Sequence, residues 1–514
     1  MAGRAERIFF NSLSSYGRML LGLFLGLATT RAALAVLSTD PATAKALFGV
    51  FALVLAVSTA STLLNESVRQ AVVRHLALVA PGDGDAVRRV LSTGFVLALT
   101  SGLLASSTIV LAAPWLVSLF VVPPEVEAHA VACVRIFGVA HGLTALAIPW
   151  LAALRARDWF ALENFLLVGQ QATILLLVLG LGSLSTHTLP SLAIAYAGPP
   201  VVVAWILAAL MALSEPTHRV RLEHVSRDTA RGLFSLGGWW GLMGAATSLY
   251  ERTDQILINL LLGPTFNAYY GVLVQLQTYV SSLVGAVSGV LLPTATRLNA
   301  RGSEWDRQQF LLRATRYALL IAIPVTSLVT VLRRPLVHAW LGSGFDAVAD
   351  ILPLGMLLVL LRAPGAITWP YLAAADRLKW PTLVLVLDGV TNVGLSIFYV
   401  RVLELGLAGV LLGTISTSAL RFALFQAPYV ARLTGLTAAR YWREGVGRPA
   451  LSLALLAPAL FLIHELDVGV AAASVLVALT GTAYAIGVWQ WIFDPFERAL
   501  AERVFARLRG VASR

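Results

Sequence analysis

The chain has 514 residues, of which 58% are hydrophobic and 13% are charged, and its mean hydropathy is +0.79. Soluble domains carry about 25% charged residues, so this composition excludes an ordinary soluble protein. The apolar residues fall into blocks of about 20, the length of a membrane-spanning helix, and they lack the alternation of a barrel. The sequence therefore predicts an all-α polytopic membrane protein.

Taken in chain order, fourteen apolar blocks predict membrane-spanning helices. The seventh block is long for one span, and its Gly-Gly-Trp-Trp-Gly run predicts a kink or a first turn at the membrane interface. The blocks cover residues 17–37, 45–64, 91–113, 129–154, 161–182, 189–213, 232–262, 267–292, 315–333, 350–373, 381–400, 407–431, 449–464 and 468–491.

The loops between these blocks carry a strongly uneven charge. Most of the 38 lysines and arginines lie in the two tails and in the loops of one side, whereas the opposite loops carry only Lys45, Arg333, Arg334 and Arg401. Basic residues concentrate in cytoplasmic loops, so both termini are predicted to be cytoplasmic. The net charge of +11 then follows from topology, and nucleic acid is not an expected partner.

The cysteine count and the absence of nucleotide motifs limit the chemistry. Cys133 is the single cysteine, which excludes a disulfide within the chain and a cysteine-based metal site. No Walker A loop, zinc-binding His-Glu-x-x-His or nucleophile elbow occurs in the sequence. We therefore expect no cofactor and no metal, and we expect a protein that is not an enzyme.

A weak internal repeat suggests the domain organisation. The stretches that begin at Thr30 and Thr253 share a charged residue, an apolar run, a short loop with proline and an aromatic-Gly pair. Repeats of six spans keep their orientation, as in some transporters. This predicts an N-lobe at 1–222, a C-lobe at 223–434, and two appended spans with a cytoplasmic amphipathic tail at 435–514. The apolar residues of that tail are Phe493, Phe496, Leu500, Phe505 and Leu508.

Three stretches resemble a known family. They are "TDQILINLLLGPTFNAYYGV", "LLPTATRLNARGSEWDRQQFLLRATRYALLIAIP" and "WLGSGFDAVADILPLGMLLVLL". Their order and spacing resemble the polysaccharide (lipid-linked oligosaccharide, Wzx-type) flippases of the multidrug/oligosaccharidyl-lipid/polysaccharide (MOP) exporter superfamily. The chain departs from that pattern at "LSTDP" (Leu37 to Pro41), where the family usually has Leu-Gly-Pro. The resemblance implies two six-helix lobes in a V, as in MATE exporters, and alternating access in a bacterial cytoplasmic (inner) membrane.

Five arginines lie inside predicted spans, where a charge costs roughly 2.5–3.5 kcal/mol. None has an acid three or four residues away, so local pairing does not neutralise it. Their partner is another helix, cavity water or a substrate anion, and arginine suits the pyrophosphate of a lipid-linked oligosaccharide. The alternative for Arg31 and Arg135 is snorkelling to the membrane surface. The alternative for Arg252 is a structural ion cluster. The alternative for Arg362 and Arg421 is a cross-helix pair with Asp388 or Glu163.

The seventh span has a polar face. Six residues fall within an arc of about 160° on a helical wheel, which predicts that this face lines an aqueous cavity. Among them we expect Ser248, Gln255 and Asn259 to line the cavity. Candidate ion-coupling acids are Glu251, Asp254, Asp388 and Glu163. Nearby aromatic residues are candidates for sugar contact or for ordinary packing: Trp239, Trp240, Tyr250, Tyr269 and Tyr270.

The functional prediction is a flippase for a polyprenyl-pyrophosphate-linked oligosaccharide, a precursor of O-antigen, exopolysaccharide or capsule. Its expected partners are that substrate, membrane lipids and the polysaccharide polymerase machinery. Three alternatives remain: a lipid II flippase, an H⁺- or Na⁺-coupled exporter of cationic drugs with the same fold, and a membrane glycosyltransferase or polymerase. The last would need a substantial outer loop, and the largest predicted ones, 114–128 and 334–349, are short.

Overall fold

In the computed structural model the protein is helical, and the described residues contain no β-strand. The structure describes residues 2–59, 62–80, 82–157, 159–183, 188–342, 344–375, 377–465, 470–493, 495 and 497–498. The prediction of an all-α polytopic fold is confirmed.

Twenty-one α-helices follow one another along these ranges. The first ten are α1 (Ala2–Leu37), α2 (Pro41–Thr59), α3 (Thr62–Leu78), α4 (Gly84–Ser118), α5 (Pro124–Leu146), α6 (Ile148–Ala156), α7 (Phe160–Leu181), α8 (Leu189–Ser214), α9 (Arg227–Leu262) and α10 (Pro264–Arg301). The others are α11 (Glu304–Val331), α12 (Arg333–Leu341), α13 (Asp346–Arg362), α14 (Gly365–Ala374), α15 (Lys379–Arg401), α16 (Gly406–Leu420), α17 (Ala427–Leu433), α18 (Ala438–Arg440), α19 (Arg448–Ala450), α20 (Ser452–Glu465) and α21 (Val470–Gly487).

Ten helical segments of the described residues are long and apolar enough to cross a membrane, and they coincide with ten of the fourteen predicted blocks. The other four blocks fall on α9, α10, α20 and α21, so the count of fourteen stays a prediction. The ten segments are Ser14–Leu37, Pro41–Ser58, Gly84–Ser118, Pro124–Leu146, Phe160–Leu181, Leu189–Ser214, Glu304–Val331, Asp346–Ala374, Lys379–Arg401 and Gly406–Leu433.

Helix α3 occupies a stretch where the sequence indicates a helix end and a basic loop. It is too polar to count as a span, because Glu66, Arg69 and Arg74 interrupt it. One face is nevertheless apolar: Ala71 and Val72 are buried against residues of α4 and α6. Packing of that face stabilises a helix that hydropathy alone does not detect.

The chain packs as two compact units, each built from separate stretches. Unit 1 comprises Met1–Gln275, Trp340–Val348 and Leu378–Thr417. In it α1 packs along α7, α4 along α5, and α9 against both α3 and α15. A buried apolar cluster that includes Leu91, Leu154 and Met211 fills the space among α3, α4, α6 and α8.

Unit 2 comprises Leu276–Ala339, Ala349–Arg377 and Ser418–Arg514. Its apolar core joins α11, α20 and α21, with Ala318, Leu456 and Val488 among its buried members. Three π-helical segments also belong to this unit: Arg421–Gln426, Tyr441–Gly447 and Val488–Ile492. The predicted lobes at 1–222 and 223–434 stay a prediction.

The beginning of the predicted amphipathic tail is buried in unit 2. Glu497 is 2% exposed, and its carboxylate pairs with Arg316 of α11 at 2.7 Å. The predicted tail residues Phe496, Leu500, Phe505 and Leu508 lie outside the described residues.

Candidate functional site

A buried carboxylate, Asp254, lies at the centre of a polar cluster in unit 1. Its side chain is 2% exposed and belongs to α9. Tyr270 donates its hydroxyl hydrogen to Oδ2 at 2.9 Å, and Asn392 donates from Nδ2 to Oδ1 at 2.9 Å. Thr414 lies 2.7 Å from Oδ2 through its Oγ1 atom. Four helices therefore converge on one acidic group inside an apolar region.

Local sequence features bring these four helices together. Helix α9 ends at Gly263, whose φ of +94° favours glycine, and Pro264 begins α10, so that Tyr270 faces back toward Asp254. Helix α16 approaches α15 closely at Gly413, where a Cβ atom would collide with Ser396. The glycine therefore permits the contact that places Thr414 beside Asn392.

One hydroxyl of the cluster, that of Thr414, lies near more acceptor oxygens than it has hydrogens to donate. Thr414 Oγ1 lies near Asp254 Oδ2, near Asn392 Oδ1 at 3.1 Å and near the carbonyl oxygen of Val410 at 3.3 Å, yet it carries one hydrogen. Ser396 Oγ is also 3.3 Å from Asn392 Oδ1. Such a set of oxygens suits a hard cation such as Na⁺, or a proton held by Asp254. Among the described residues no three His, Cys, Asp or Glu side chains form a metal cluster.

Arg252, two residues before Asp254, has a different environment. Its Nε atom is buried and has no hydrogen-bond partner among the described residues. Asp254 accepts hydrogen bonds from Tyr270 of α10 and Asn392 of α15, and Glu251 is exposed. The three charges of the seventh span therefore lie in three different environments. A guanidinium nitrogen buried without an acceptor is costly, and an anionic ligand would satisfy it.

The uncharged residues of the predicted polar face also differ from one another. Ser248 is partly exposed, whereas Gln255 is 5% exposed and Asn259 is completely buried. The amide of Asn259 bonds to the backbone of Val121: it accepts from the amide N–H at 2.8 Å and donates to the carbonyl at 3.1 Å. Asn259 thus joins α9 to the connection between α4 and α5.

The other predicted arginines are distributed over both units. In unit 1, Arg31 of α1 and Arg135 of α5 are exposed, and Arg135 Nε lies 3.4 Å from the carbonyl oxygen of Val110. In unit 2, Arg362 ends α13, and Arg421 begins a π-helical segment and donates to Gln426 Oε1 at 3.0 Å.

The other predicted acids also have defined positions. Glu163 is buried and accepts hydrogen bonds from Arg155 through Nε and NH2, the latter at 2.7 Å. Asp388 is 6% exposed on α15, one helical turn before Asn392. Thr414 and Ser396 were not among the predicted site residues. The available signal was polar residues at four-residue spacing, Asp388, Asn392 and Ser396, within an apolar helix.

Further contacts of unit 1 lie on the side predicted to be extracytoplasmic. Lys45 Nζ lies over the rings of Tyr269 at 6.0 Å and Phe345 at 5.2 Å. Trp340 donates its indole N–H to the carbonyl of Leu27 at 2.8 Å. These contacts join α1 to α12, and the start of α2 to α10 and to the connection between α12 and α13.

Comparison with known proteins identifies the sequence family to which this chain belongs. The model of a family described as "Polysaccharide biosynthesis protein" matches residues 44–350. An uncharacterised membrane protein, EpsK of Bacillus subtilis (strain 168), is 27% identical over 305 residues, which are 58% of this chain and 59% of that protein. The chain thus spans about three fifths of the length of this curated relative.

Two solved structures of other proteins have a fold similar to that of this chain. "Lipid II flippase MurJ, inward closed conformation" is 14% identical with a TM-score of 0.71, over 93% of this chain and 97% of that one. An inward-facing multidrug resistance MATE transporter of the MOP superfamily is 15% identical with a TM-score of 0.63, over 82% of this chain and 99% of that one. At these identities the likeness shows the fold alone.

Proposed function

Because the chain belongs to the polysaccharide biosynthesis protein family and has the fold of MOP-superfamily flippases, we propose that it flips a polyprenyl-pyrophosphate-linked oligosaccharide across the cytoplasmic membrane. The substrate is a precursor of O-antigen, exopolysaccharide or capsule. In this proposal the chain has fourteen spans, two six-helix lobes and two cytoplasmic termini, and it works by alternating access. The uneven charge of the loops supports this orientation.

The observation that carries the proposal is the guanidinium of Arg252. A buried Nε atom that has no hydrogen-bond partner in the described part of the chain favours an anionic ligand over a cationic one. Arginine's planar fork binds phosphate oxygens through two parallel hydrogen bonds. We therefore assign Arg252 to the pyrophosphate. Arg31, Arg135, Arg362 and Arg421 are further candidates for the same anion.

We also propose that the Asp254 cluster couples transport to an ion gradient. Its support is the group of oxygens on Asp254, Asn392 and Thr414, which are the kind of atoms that bind a proton or a small hard cation. Asp388 lies one turn away on the same helix as Asn392 and belongs to the same proposal. Glu251 and Glu163 remain candidates, although Glu163 already pairs with Arg155.

Two alternatives rest on specific observations. The fold likeness to a structure named as a lipid II flippase favours a lipid II substrate. The buried acid of the Asp254 cluster favours an H⁺- or Na⁺-coupled exporter of cationic drugs. Arg252 argues against the second, because a cation would meet a fixed positive charge whose buried Nε atom no described residue pairs with. Family and neighbours are transporters and not enzymes.

The test measures lipid-linked oligosaccharide that accumulates in the cytoplasmic leaflet of cells carrying single variants. Arg252→Ala and Arg252→Lys should both accumulate substrate at normal protein levels, because lysine keeps the charge but loses the bidentate geometry. Arg401→Ala, at the exposed end of α15, is the matched control. Full activity of both Arg252 variants would contradict the proposal that Arg252 binds an anionic headgroup. It would favour the alternative function, an exporter of cationic drugs.

A further inference from the structure

Unit 2 has a basic depression at the start of its last two long helices. Beyond α17 the chain passes through α18, the π-helical segment Tyr441–Gly447 and α19 before α20 begins. A depression of about 670 Å³ opens here, lined by Arg443, Glu444, Gly447, Arg448 and Leu451. We call it the α18–α20 depression.

The inner face of this segment is firmly anchored. Tyr441 is completely buried, and its hydroxyl lies 3.2 Å from Thr315 Oγ1 of α11. Gly445 packs against Leu312 with no side chain of its own. Arg443 lies on the opposite face and is 80% exposed. The wider π-helical turn therefore presents a fixed row of groups to the outside, and such turns are frequent at functional sites.

The depression carries an excess of positive charge. Glu444 pairs with Arg440 and with Arg443, each at 3.2 Å. Burial raises the pKa of Glu444, but hydrogen bonds from Arg443 and the charge of Arg440 outweigh burial, so its pKa is lowered and the group stays ionised. Arg448, one helical turn further, has no ion pair or hydrogen bond among the described residues. One carboxylate thus faces three guanidinium groups.

An apolar surface begins directly beside these charges. Leu451 lines the depression and is 70% exposed. Leu453 and Phe461 of α20 are also exposed, the latter at 65%. A ligand bound here would meet guanidinium groups at one end and an apolar helix surface at the other. That combination matches a lipid with an anionic head.

We propose that the α18–α20 depression binds the phosphate headgroup of an anionic phospholipid, with Arg443 and Arg448 on the phosphate and the acyl chains along Leu451. Guanidinium groups bind phosphate diesters through charge-assisted hydrogen bonds, and basic pockets at the membrane surface recognise anionic lipid heads. This inference does not depend on which substrate the protein transports. It concerns a resident lipid bound beside unit 2.

The test is lipid binding to the purified full-length protein in detergent. Thermal unfolding is followed while phosphatidylglycerol is titrated, with phosphatidylcholine of the same acyl chains as the neutral comparison. Phosphatidylglycerol should raise the unfolding temperature, and the Arg443→Ala/Arg448→Ala variant should bind it about tenfold more weakly or worse. Arg219→Ala/Arg221→Ala is the control, since it removes two exposed charges from a different loop. It should respond like the unmodified protein.

Three outcomes would overturn the proposal. One is an unchanged response of the double variant to phosphatidylglycerol. Another is equal stabilisation by inorganic phosphate at the same concentration, which would show a simple anion site. The third is binding of a polyprenyl phosphate without binding of phosphatidylglycerol, which would assign the depression to the transported lipid. If the double variant does not fold, Arg448→Ala alone gives the same comparison, because Arg448 has no ion pair or hydrogen bond to lose within the part of the chain that the structure describes.

Discussion

Asn259 is bonded to Val121 through both ends of its side-chain amide, one bond to the backbone N–H and one to the backbone carbonyl. The pair joins α9 to the connection between α4 and α5, residues that lie 138 positions apart in the chain. Only an amide supplies a donor and an acceptor at this spacing, so the contact specifies asparagine. It lies on the side of the protein that the loop charges predict to be extracytoplasmic.

We expect Asn259→Ala to loosen this side of unit 1. Each hydrogen bond stabilises the folded protein by about 1 kcal/mol, so the loss should lower the unfolding temperature modestly. Under the proposed alternating access, the substitution should also expose the contact between α9 and the α4–α5 connection more often. The measurement is the rate at which a maleimide labels a cysteine placed at Val121. Leu260→Ala, a partly exposed neighbour on α9, is the control. Equal labelling in both variants would contradict the prediction.

We expect Asp254→Asn to uncouple transport from its ion gradient. The substitution keeps the size of the side chain but removes the negative charge. It also replaces one of the two acceptor oxygens of Asp254 by an NH2 group, which cannot accept a hydrogen bond. Substrate flipping should then proceed without responding to the Na⁺ or H⁺ gradient, or should stop. Imposed gradients in proteoliposomes measure this response. Retention of the full gradient dependence would assign coupling to another group.

We expect Glu497→Ala to destabilise unit 2 strongly. Arg316 and Glu497 side chains are 5% and 1% exposed, so Glu497→Ala breaks a buried ion pair, at a cost of about 3–5 kcal/mol. Arg316→Met/Glu497→Leu should be more stable than Glu497→Ala, since it removes both buried charges together. Thermal unfolding of the purified variants provides the comparison. Equal stability of all three proteins would show that the buried pair contributes little.

We expect acid to destabilise the segment between α8 and α9. Burial, and secondly the charge of Arg157, lowers the pKa of His218 below its ordinary value of 6.5. The folded protein therefore resists protonation, and the stability from His218 is complete above pH 6.5 and is lost as the pH falls through the lowered pKa. The pKa of Glu215 is also lowered, mainly by the hydrogen bond from Arg157, and its contribution is lost only below 4.5.

The corresponding measurement is the unfolding temperature between about pH 7.5 and about pH 5.5, the range of histidine titration. The drop should be smaller in His218→Gln, whose amide can still donate to the Met211 carbonyl but does not titrate. His224→Gln, in the same segment with a side chain that is 30% exposed, should keep the full drop. A drop of equal size in all three proteins would exclude His218 as its source.

Much of the fold was predictable because a membrane imposes a length and an apolar composition on each span. Ten such helices are present where the sequence predicts them. Helix α3 was not predictable in this way, since Glu66 and Arg69 lower its hydropathy while tertiary packing stabilises it. Asp254 was identified as a candidate, but Asn392 and Thr414 were not assigned to it. Periodicity shows which face of a helix is polar, and only the packing shows which helices meet there.

The interleaved makeup of unit 1 has a consequence for how the protein is made. Asp254 leaves the ribosome before Asn392 and Thr414, which follow it by 138 and 160 residues. During that interval the acid is inserted without Asn392 and Thr414, while part of unit 2 is already being synthesised. A carboxylate that lacks these two contacts is expensive in lipid, so α9 has to wait beside the insertion machinery or enter the bilayer protonated. Biogenesis of this transporter thus includes a stage at which a buried acid depends on help from outside the chain.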